Sequence, residues 1–173
     1  DAGHFWIKWE DVVRYFSHLY LCWAPSALGL HLQEVHDRWD PGIAFERSSL
    51  PDDTHLTAFN PQYRLHFRED PPRDGSVVVW ALLSRHVRVR ADISSKYVAA
   101  HFYSGQDRLC CPNAPVEQGI YSNGECALVK LRGDTLQDEN DLVVLISQHA
   151  YKVPFNYTLQ VYTTVPATLE ALP

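Results

Sequence analysis

The sequence predicts an all-β protein, an antiparallel eight-stranded β-sandwich with one N-terminal helix. The longest apolar run, within Ser76–Arg85, is β-branched and aromatic in its front half, which favours a strand. Short segments of alternating polar and apolar residues recur along the chain between turn signals, as in antiparallel sandwiches. Helical spacing is convincing at one place, close to the amino terminus.

The first predicted element is a helix over roughly Trp9–Leu19. Its apolar residues recur once per turn, as expected for a helix with one apolar face. Glu10 and Asp11 lie in the first turn, where the helix dipole favours negative charge. Pro25 ends any continuation. The preceding residues, Phe5 to Ile7, are predicted to be extended.

About eight strands are predicted after the helix. In chain order the candidate segments are Leu28–Trp39, Gln62–Phe67, Ser76–Arg85, Val87–Ile93, Lys96–Tyr103, Glu125–Leu131, Leu142–His149, Pro154–Thr163 and a short closing piece, Ala167–Leu172. The segment Ser76–Arg85 is predicted to be central, and either buried on both faces or packed with one face on the other sheet. In Glu125–Leu131 the apolar face is predicted to carry Cys126 and Leu128, with Val129 out of phase.

Composition bounds the class of protein. With 173 residues, of which 46% are hydrophobic, the chain suffices for one soluble globular domain. A net charge of −6 without clustered Lys or Arg argues against nucleic acid as a partner. No polybasic run predicts attraction to an acidic membrane, and membrane contact is left open. The start lacks the pattern of a signal peptide, and the chain has no Met. We therefore expect it to be a piece of a longer protein.

Four cysteines are the residues most capable of covalent chemistry, namely Cys22, Cys110, Cys111 and Cys126. Two are adjacent and none forms a CxxC pair, which argues against a disulfide framework and a zinc site. We expect reduced, buried or half-buried thiols. The sequence contains no phosphate loop, HExxH, GxSxG or EF-hand pattern, and it predicts no catalytic residue and no cofactor. Peptidase activity through one of these thiols is a disfavoured alternative, because a thiol nucleophile requires a positioned base.

An acidic stretch between two predicted strands is the weak candidate for a metal site. Its carboxylates are those of Asp134, Asp138, Glu139 and Asp141. Carboxylate oxygens suit calcium, but six to eight ligands are needed, so a second loop would have to contribute. Asp52 with Asp53, or Asp70 with Asp74, would be that loop if the fold brings them close. The alternative is a solvated turn with an electrostatic role, and we expect no calcium binding at micromolar concentration.

Three aromatic residues near the start, Phe5, Trp6 and Trp9, form the candidate interaction site. Aromatic residues at this density anchor protein interfaces. The alternative is that their rings only seal the helix onto the sandwich.

Several segments resemble a known family. Asp1–Val12, with Gly3-His-Phe-Trp6, is similar to the Asp-x-Gly-x-Phe-Trp segment that closes the protease core of calpains. Tyr20–Pro25, Asn60–Leu65, Val79–His86 and the pair Ser147–Gln148 with Tyr157–Tyr162 resemble the C2-like domain of PalB-type atypical calpains. Lys8 replaces the usual Ser, and Cys22-Trp-Ala24 replaces Ser-Trp-Asn.

The resemblance implies a C2-like β-sandwich over residues 23–173, after a lead-in over 1–22 from the end of a protease core. It implies an intracellular papain-like cysteine protease whose catalytic Cys, His and Asn lie upstream, so that none falls in this sequence. The implied role is to support or regulate the core and to mediate protein interaction. The implied partners are the protease core of the same chain and endosomal sorting proteins, in the cytoplasm and at endosomes. A calcium-dependent phospholipid-binding module is the alternative that C2-like sandwiches suggest.

Overall fold

The fold is given by a computed structural model that describes residues 5–17, 19, 24–40, 57–72, 74–87, 96–136, 140–149 and 153–173. The described residues form one α-helix, α1 (Trp9–Tyr15), and eight strands. The strands are β1 (His31–Trp39), β2 (Gln62–Phe67), β3 (Val78–Arg85), β4 (Tyr97–Ser104), β5 (Cys126–Arg132), β6 (Asp141–His149), β7 (Phe155–Thr163) and β8 (Ala167–Ala171). Short 3₁₀ turns lie at Pro25–Leu28 and Gly133–Thr135.

The strands form two four-stranded sheets with orders β1-β7-β3-β5 and β4-β6-β2-β8. Every pairing between these strands is antiparallel. The buried apolar residues of both sheets form one core cluster, as expected for two sheets packed face to face. The predicted antiparallel eight-stranded sandwich with one helix is confirmed.

Strand β3 is an inner strand of its sheet, and it alternates strictly in burial. Val79, Ala81 and Leu83 face the core with no exposed surface, while Trp80 and Leu82 are half-buried on the other face. Of the two predicted arrangements, the second is therefore correct: one face lies on the opposite sheet. Strand β6, by contrast, has seven consecutive buried residues and is therefore buried on both faces.

Strand β5 corrects the predicted phase. Ala127, Val129 and Leu131 are buried, whereas Cys126 and Leu128 are exposed, so Val129 belongs to the inward face. The prediction was wrong because it took its phase from Cys126 and Leu128, although Lys130 shares their face and the other face is apolar at Ala127, Val129 and Leu131.

The bounds of the other predicted elements agree with the structure to different degrees. Strand β2 has the predicted bounds, β6–β8 differ from the prediction by one residue at one end, and β4 is shifted by one residue at both ends. The helix ends at Tyr15, four residues before the predicted Leu19. The predicted strand Val87–Ile93 lies outside the described residues except for its first residue. None of the described helices is long and apolar enough to span a bilayer.

A buried polar cluster joins the two sheets. The hydroxyl groups of Tyr63 on β2 and Tyr157 on β7 lie 2.6 Å apart. The Tyr63 hydroxyl donates to Asp37 Oδ2 at 3.0 Å, and the Tyr157 hydroxyl lies 3.4 Å from the same oxygen. Both rings are almost fully buried, so these hydrogen bonds satisfy phenol groups that would otherwise be costly to desolvate.

The segment between β4 and β5 runs along β4, the edge strand of its sheet. Isolated bridges pair Val98 with Ser122 and Phe102 with Glu117. At Gly119 a Cβ atom would collide with the backbone of Ala100, so only glycine fits this crossing. The segment between β4 and β5 thereby covers the β4 edge of this sheet.

Candidate interaction surface

The aromatic lead-in, defined as residues 5–17, is exposed. The exposed fractions are 79% for Phe5, 101% for Trp6 and 65% for Trp9. None of the residues of α1, all of which are described, is buried. The alternative that these rings seal the helix onto the sandwich therefore does not describe this structure, and the prediction that they form an interface stays a prediction.

The local sequence explains why α1 is short. Its N-cap residue is Lys8, whose side chain makes no capping hydrogen bond. Phe16 at the other end has an extended backbone, and its amide donates to the Val12 carbonyl at 3.0 Å. A helix of seven residues is marginal without a packed face. Beyond Tyr15, the side chains of Phe16 and of Leu19, two residues after the lead-in, are also exposed.

The acidic stretch is only partly described, since Asp138 and Glu139 lie outside the described residues. Asp134 is exposed in the 3₁₀ turn before them. Asp141 begins β6, and its Oδ1 lies 2.8 Å from Arg64 Nε and 3.0 Å from His66 Nδ1. The Asp141 carboxylate is thus engaged by a cation and a histidine of the neighbouring strand β2.

The fold brings a second acidic loop close to this stretch. Asn140 donates a hydrogen bond to Asp70 Oδ1 at 2.6 Å. An open groove of about 730 Å³ is lined by both Asp74 and Asp134, together with Lys130 and Arg132.

These carboxylates have local partners rather than a shared ligand geometry. The Asp74 carboxylate accepts the Ser76 amide at 2.9 Å. Hydrogen bonds from the Ser76 side chain and from its amide lower the pKa of Asp74. Within the described residues, no group of three or more His, Cys, Asp or Glu side chains could hold a metal ion. Asp52 and Asp53 lie outside the described part of the chain.

Three of the four cysteines are described, and the expectation of buried or half-buried thiols is wrong for them. Cys110, Cys111 and Cys126 are free and exposed. The Cys126 thiol lies 3.5 Å from the Ser84 hydroxyl, its partner across the β3–β5 pair. Cys110 and Cys111 lie in the segment after β4, and Cys22 is outside the described residues.

Two buried basic residues were missed by the sequence analysis. His101 on β4 is 4% exposed, its Nδ1 accepts the Gly119 amide at 3.2 Å, and burial lowers its pKa to about 4. Arg85, the last residue of β3, is 8% exposed. Extending the β3 alternation of Val79 and Leu83 by one step would have placed Arg85 on the inward face.

Comparison with known proteins identifies relatives over the full chain, although no family model matches. The chain is 29% identical to calpain-7 of Mus musculus over 178 residues, which is 100% of the chain and 21% of calpain-7. It is 24% identical to calpain-like protease palB of Emericella nidulans over 179 residues, covering 100% of the chain and 19% of that protein. It is 32% identical to calpain-like protease palB/RIM13 of Cryptococcus neoformans over 124 residues, covering 71% of the chain and 14% of the relative.

The chain therefore spans about one fifth of the length of these relatives. Calpain-7 and palB, an animal and a fungal protein, both match all of it, so the match is not confined to a short motif. This agrees with the resemblance read from the residues themselves, and the chain is a homologue of one segment of the PalB-type atypical calpains.

Proposed function

We propose that this chain is the non-catalytic C2-like domain of a calpain-type cysteine protease, and that it supports or regulates the protease core through its aromatic lead-in. The observation that carries the proposal is the full exposure of Trp6 with its neighbour Phe5. The matched relatives are named as calpains or calpain-like proteases, and the chain accounts for about a fifth of them. The rest of such a protein would supply the surface that the lead-in contacts.

The energetics favour a covered lead-in. Burying one large apolar side chain contributes roughly 1.5–3 kcal/mol, and aromatic rings dominate interface energies. Phe5, Trp6 and Trp9 lie within five consecutive residues, and all three side chains are exposed. Exposed apolar surface of this kind is typical of a protein contact site. Contact with the core of the same chain would cover these rings at little entropic cost, because the two parts are covalently joined.

The proposal extends to partners and location on the strength of the family resemblance alone. A protein of the endosomal sorting machinery would be a second partner, with the protease in the cytoplasm and at endosomes. Calcium-dependent phospholipid binding is not favoured. Asp141, which belongs to the acidic stretch and is half-buried, already contacts Arg64 and His66 through its carboxylate. Peptidase activity of this chain alone is not favoured either, because the Cys126 thiol contacts a hydroxyl group rather than a base.

The test is made in the longer protein that the proposal implies. Phe5→Ala combined with Trp6→Ala should lower its Tm by several degrees and reduce its peptidase activity, because an apolar contact with the core is lost. Thermal unfolding and peptide hydrolysis are the two measurements.

The matched control is Ile120→Ala, which removes an apolar side chain that is 84% exposed on the loop between β4 and β5. It should change neither quantity. If the double variant leaves both the thermal transition and the activity unchanged, the lead-in is not the contact with the protease core.

A further inference from the structure

Two histidine side chains from different strands meet at one hydroxyl group on the sheet β1-β7-β3-β5. His36 lies on β1, Thr158 on the neighbouring strand β7, and His86 one residue beyond the end of β3. His36 Nδ1 lies 2.7 Å and His86 Nε2 lies 2.8 Å from Thr158 Oγ1. Thr158 is 122 positions from His36 and 72 from His86 in the sequence, so only the fold brings the three together.

The strand register explains why these side chains share the outer face of the sheet. Tyr157 and Leu159, on either side of Thr158, belong to the core cluster, so Thr158 points away from the core. His36 is the direct cross-strand partner of Thr158. His86 reaches the same hydroxyl from the other side, because β7 lies between β1 and β3. The centroids of the two imidazole rings are 6.4 Å apart.

A carboxylate fixes the orientation of one of these rings. His36 Nε2 lies 3.0 Å from Glu34 Oε1. An ionised carboxylate only accepts hydrogen bonds, so in the neutral imidazole Nε2 carries the hydrogen and Nδ1 presents its lone pair to Thr158. The Glu34 carboxylate is itself held by the side-chain amide of Gln160, which donates to Oε2. In metal sites, a carboxylate that accepts from the second ring nitrogen orients the histidine ligand and makes it more basic.

We propose that His36 Nδ1 and His86 Nε2 bind a zinc ion on the outer face of this sheet. The ion lies between the two nitrogens, and the Thr158 hydroxyl, which bridges them in this structure, turns aside as the ion enters. His86 binds in the tautomer that carries its hydrogen on Nδ1, and Glu34 holds the His36 ring in place. Water molecules complete the coordination. Imidazole nitrogens suit zinc, whereas calcium and magnesium prefer oxygen ligands.

Two nitrogens that approach one point distinguish this cluster from histidines scattered over a surface. Zinc–nitrogen bonds measure about 2.0–2.1 Å, so each nitrogen has to move towards that point by less than about 1 Å. The side chains of His36 and Glu34 are 63% and 36% exposed, which gives a hydrated ion access. The described residues contain no larger group of His, Cys, Asp and Glu that could hold a metal ion. With two protein ligands, binding should be micromolar and weaker than in closed four-ligand sites.

The competing interpretation is that the two histidines and Thr158 form only a hydrogen-bonded cluster that ties β1 and β3 to β7. Such a cluster would not bind zinc. A bound ion would instead join β1 to β3 across β7 and stabilise the folded chain, because the two histidines meet only in the folded state. Neither interpretation uses a residue of the lead-in, so the test is independent of the proposed contact with a protease core.

The experiment uses the ¹⁵N-labelled 173-residue chain without a polyhistidine tag. Its cysteines are capped with iodoacetamide, because exposed thiols also bind zinc. Zinc chloride is the probe, and the imidazole nitrogen signals are followed by NMR and assigned by their disappearance in His36→Gln and His86→Gln. We expect the signals of both rings to shift together and to saturate at one equivalent of zinc, with a Kd in the micromolar range. Calcium chloride should leave these signals unchanged.

Variants separate a built site from general binding to histidines. His36→Gln and His86→Gln should each abolish the saturable shift of the remaining ring, and Glu34→Ala should weaken zinc binding several-fold. The matched control is His31→Gln, which removes an exposed histidine at the start of the same strand and should leave zinc binding unchanged. All four positions are exposed, and urea unfolding without zinc checks that each variant folds.

Thermal unfolding gives a second readout of the zinc site. Saturating zinc should raise the Tm of the unsubstituted chain and of His31→Gln by a few degrees, and it should not raise the Tm of His36→Gln. A shift of one ring only, a linear shift without saturation, or equal loss of binding in His31→Gln and His36→Gln would each overturn the proposed zinc site. Unchanged affinity in Glu34→Ala would overturn the role assigned to Glu34.

Discussion

The sandwich and the lead-in use the same residue types in opposite ways. In the sandwich the aromatic rings are packed: Trp39 and Phe155 have centroids 5.9 Å apart, and Phe155 and Tyr157 are 5.6 Å apart. In the lead-in Trp6 is fully exposed and no residue of α1 is buried. The sandwich gains its stability from contacts within itself, whereas the apolar residues of the lead-in gain none until something covers them.

The contrast extends to hydrogen bonding. In the sandwich Tyr63 and Tyr157 bury their hydroxyl groups and satisfy them with each other and with Asp37. In the lead-in the N-cap residue Lys8 has no side-chain bond to the helix. A segment with neither packing nor capping has a low free energy of local opening. If the proposed contact forms, it should therefore stabilise the lead-in more than the described strands of the sandwich.

The largest expected effect is in the core between the sheets. Phe102→Ala removes a ring with no exposed surface and should lower the free energy of unfolding by about 3–5 kcal/mol. Urea unfolding of the 173-residue chain measures it. The control Leu128→Ala, on the outer face of β5 and 41% exposed, should cost well under half as much. If the two substitutions cost the same, Phe102 does not lie in a close-packed core.

The next effect is a pH dependence of stability from the tyrosine pair. Burial raises the pKa of Tyr63 from 10.0 to about 12, and burial with the Tyr63 hydrogen bond also raises the pKa of Tyr157. Above pH 10 the unfolded chain loses these protons while the folded chain keeps them. The stabilisation is thus fully present below pH 10 and is lost as the pH rises towards 12. The free energy of unfolding should fall by up to about 1.4 kcal/mol per pH unit for each tyrosine.

Urea unfolding at a series of pH values between 8 and about 12 checks this pH dependence of Tyr63 and Tyr157. Tyr157→Phe should reduce the slope, since it removes one of the two groups, and Tyr97→Phe, at an exposed position, should not. A slope that is unchanged in Tyr157→Phe would mean that other groups cause the alkaline loss of stability.

The sheets were largely predictable because their signals are local. Alternation after the Asn60-Pro61 turn was sufficient to give both ends of β2. The phase of β5 could have been predicted, because the charged Lys130 lies on the same face as Leu128 and marks that face as the outward one. The early end of α1 could not, because a periodic apolar stripe predicts a helix without saying whether a surface exists to pack it.

The sites were less predictable because they depend on contacts between distant segments. The ion pair of Asp141 with Arg64 joins residues that are 77 positions apart, so the acidic stretch gave no sign of its partner. Arg85 was named only as part of a family motif, although counting the alternation along β3 would have placed its side chain on the inward face. The exposure of Trp6 could not be predicted from the sequence at all, since an aromatic residue beside a helix is equally compatible with a sealed or an open position.

The smallest expected effect is the most informative about the contrast between the two regions. In the 173-residue chain alone, Phe5→Ala combined with Trp6→Ala should change the free energy of unfolding by no more than about 0.5 kcal/mol, because both side chains are largely exposed to water in this structure. Urea unfolding measures it against Phe102→Ala as the positive control. A loss of several kcal/mol would show that the lead-in packs on the sandwich and that the two regions form one cooperative unit. A negligible change here, together with a lower Tm in the longer protein, would mean that the partner of the aromatic rings lies outside these 173 residues.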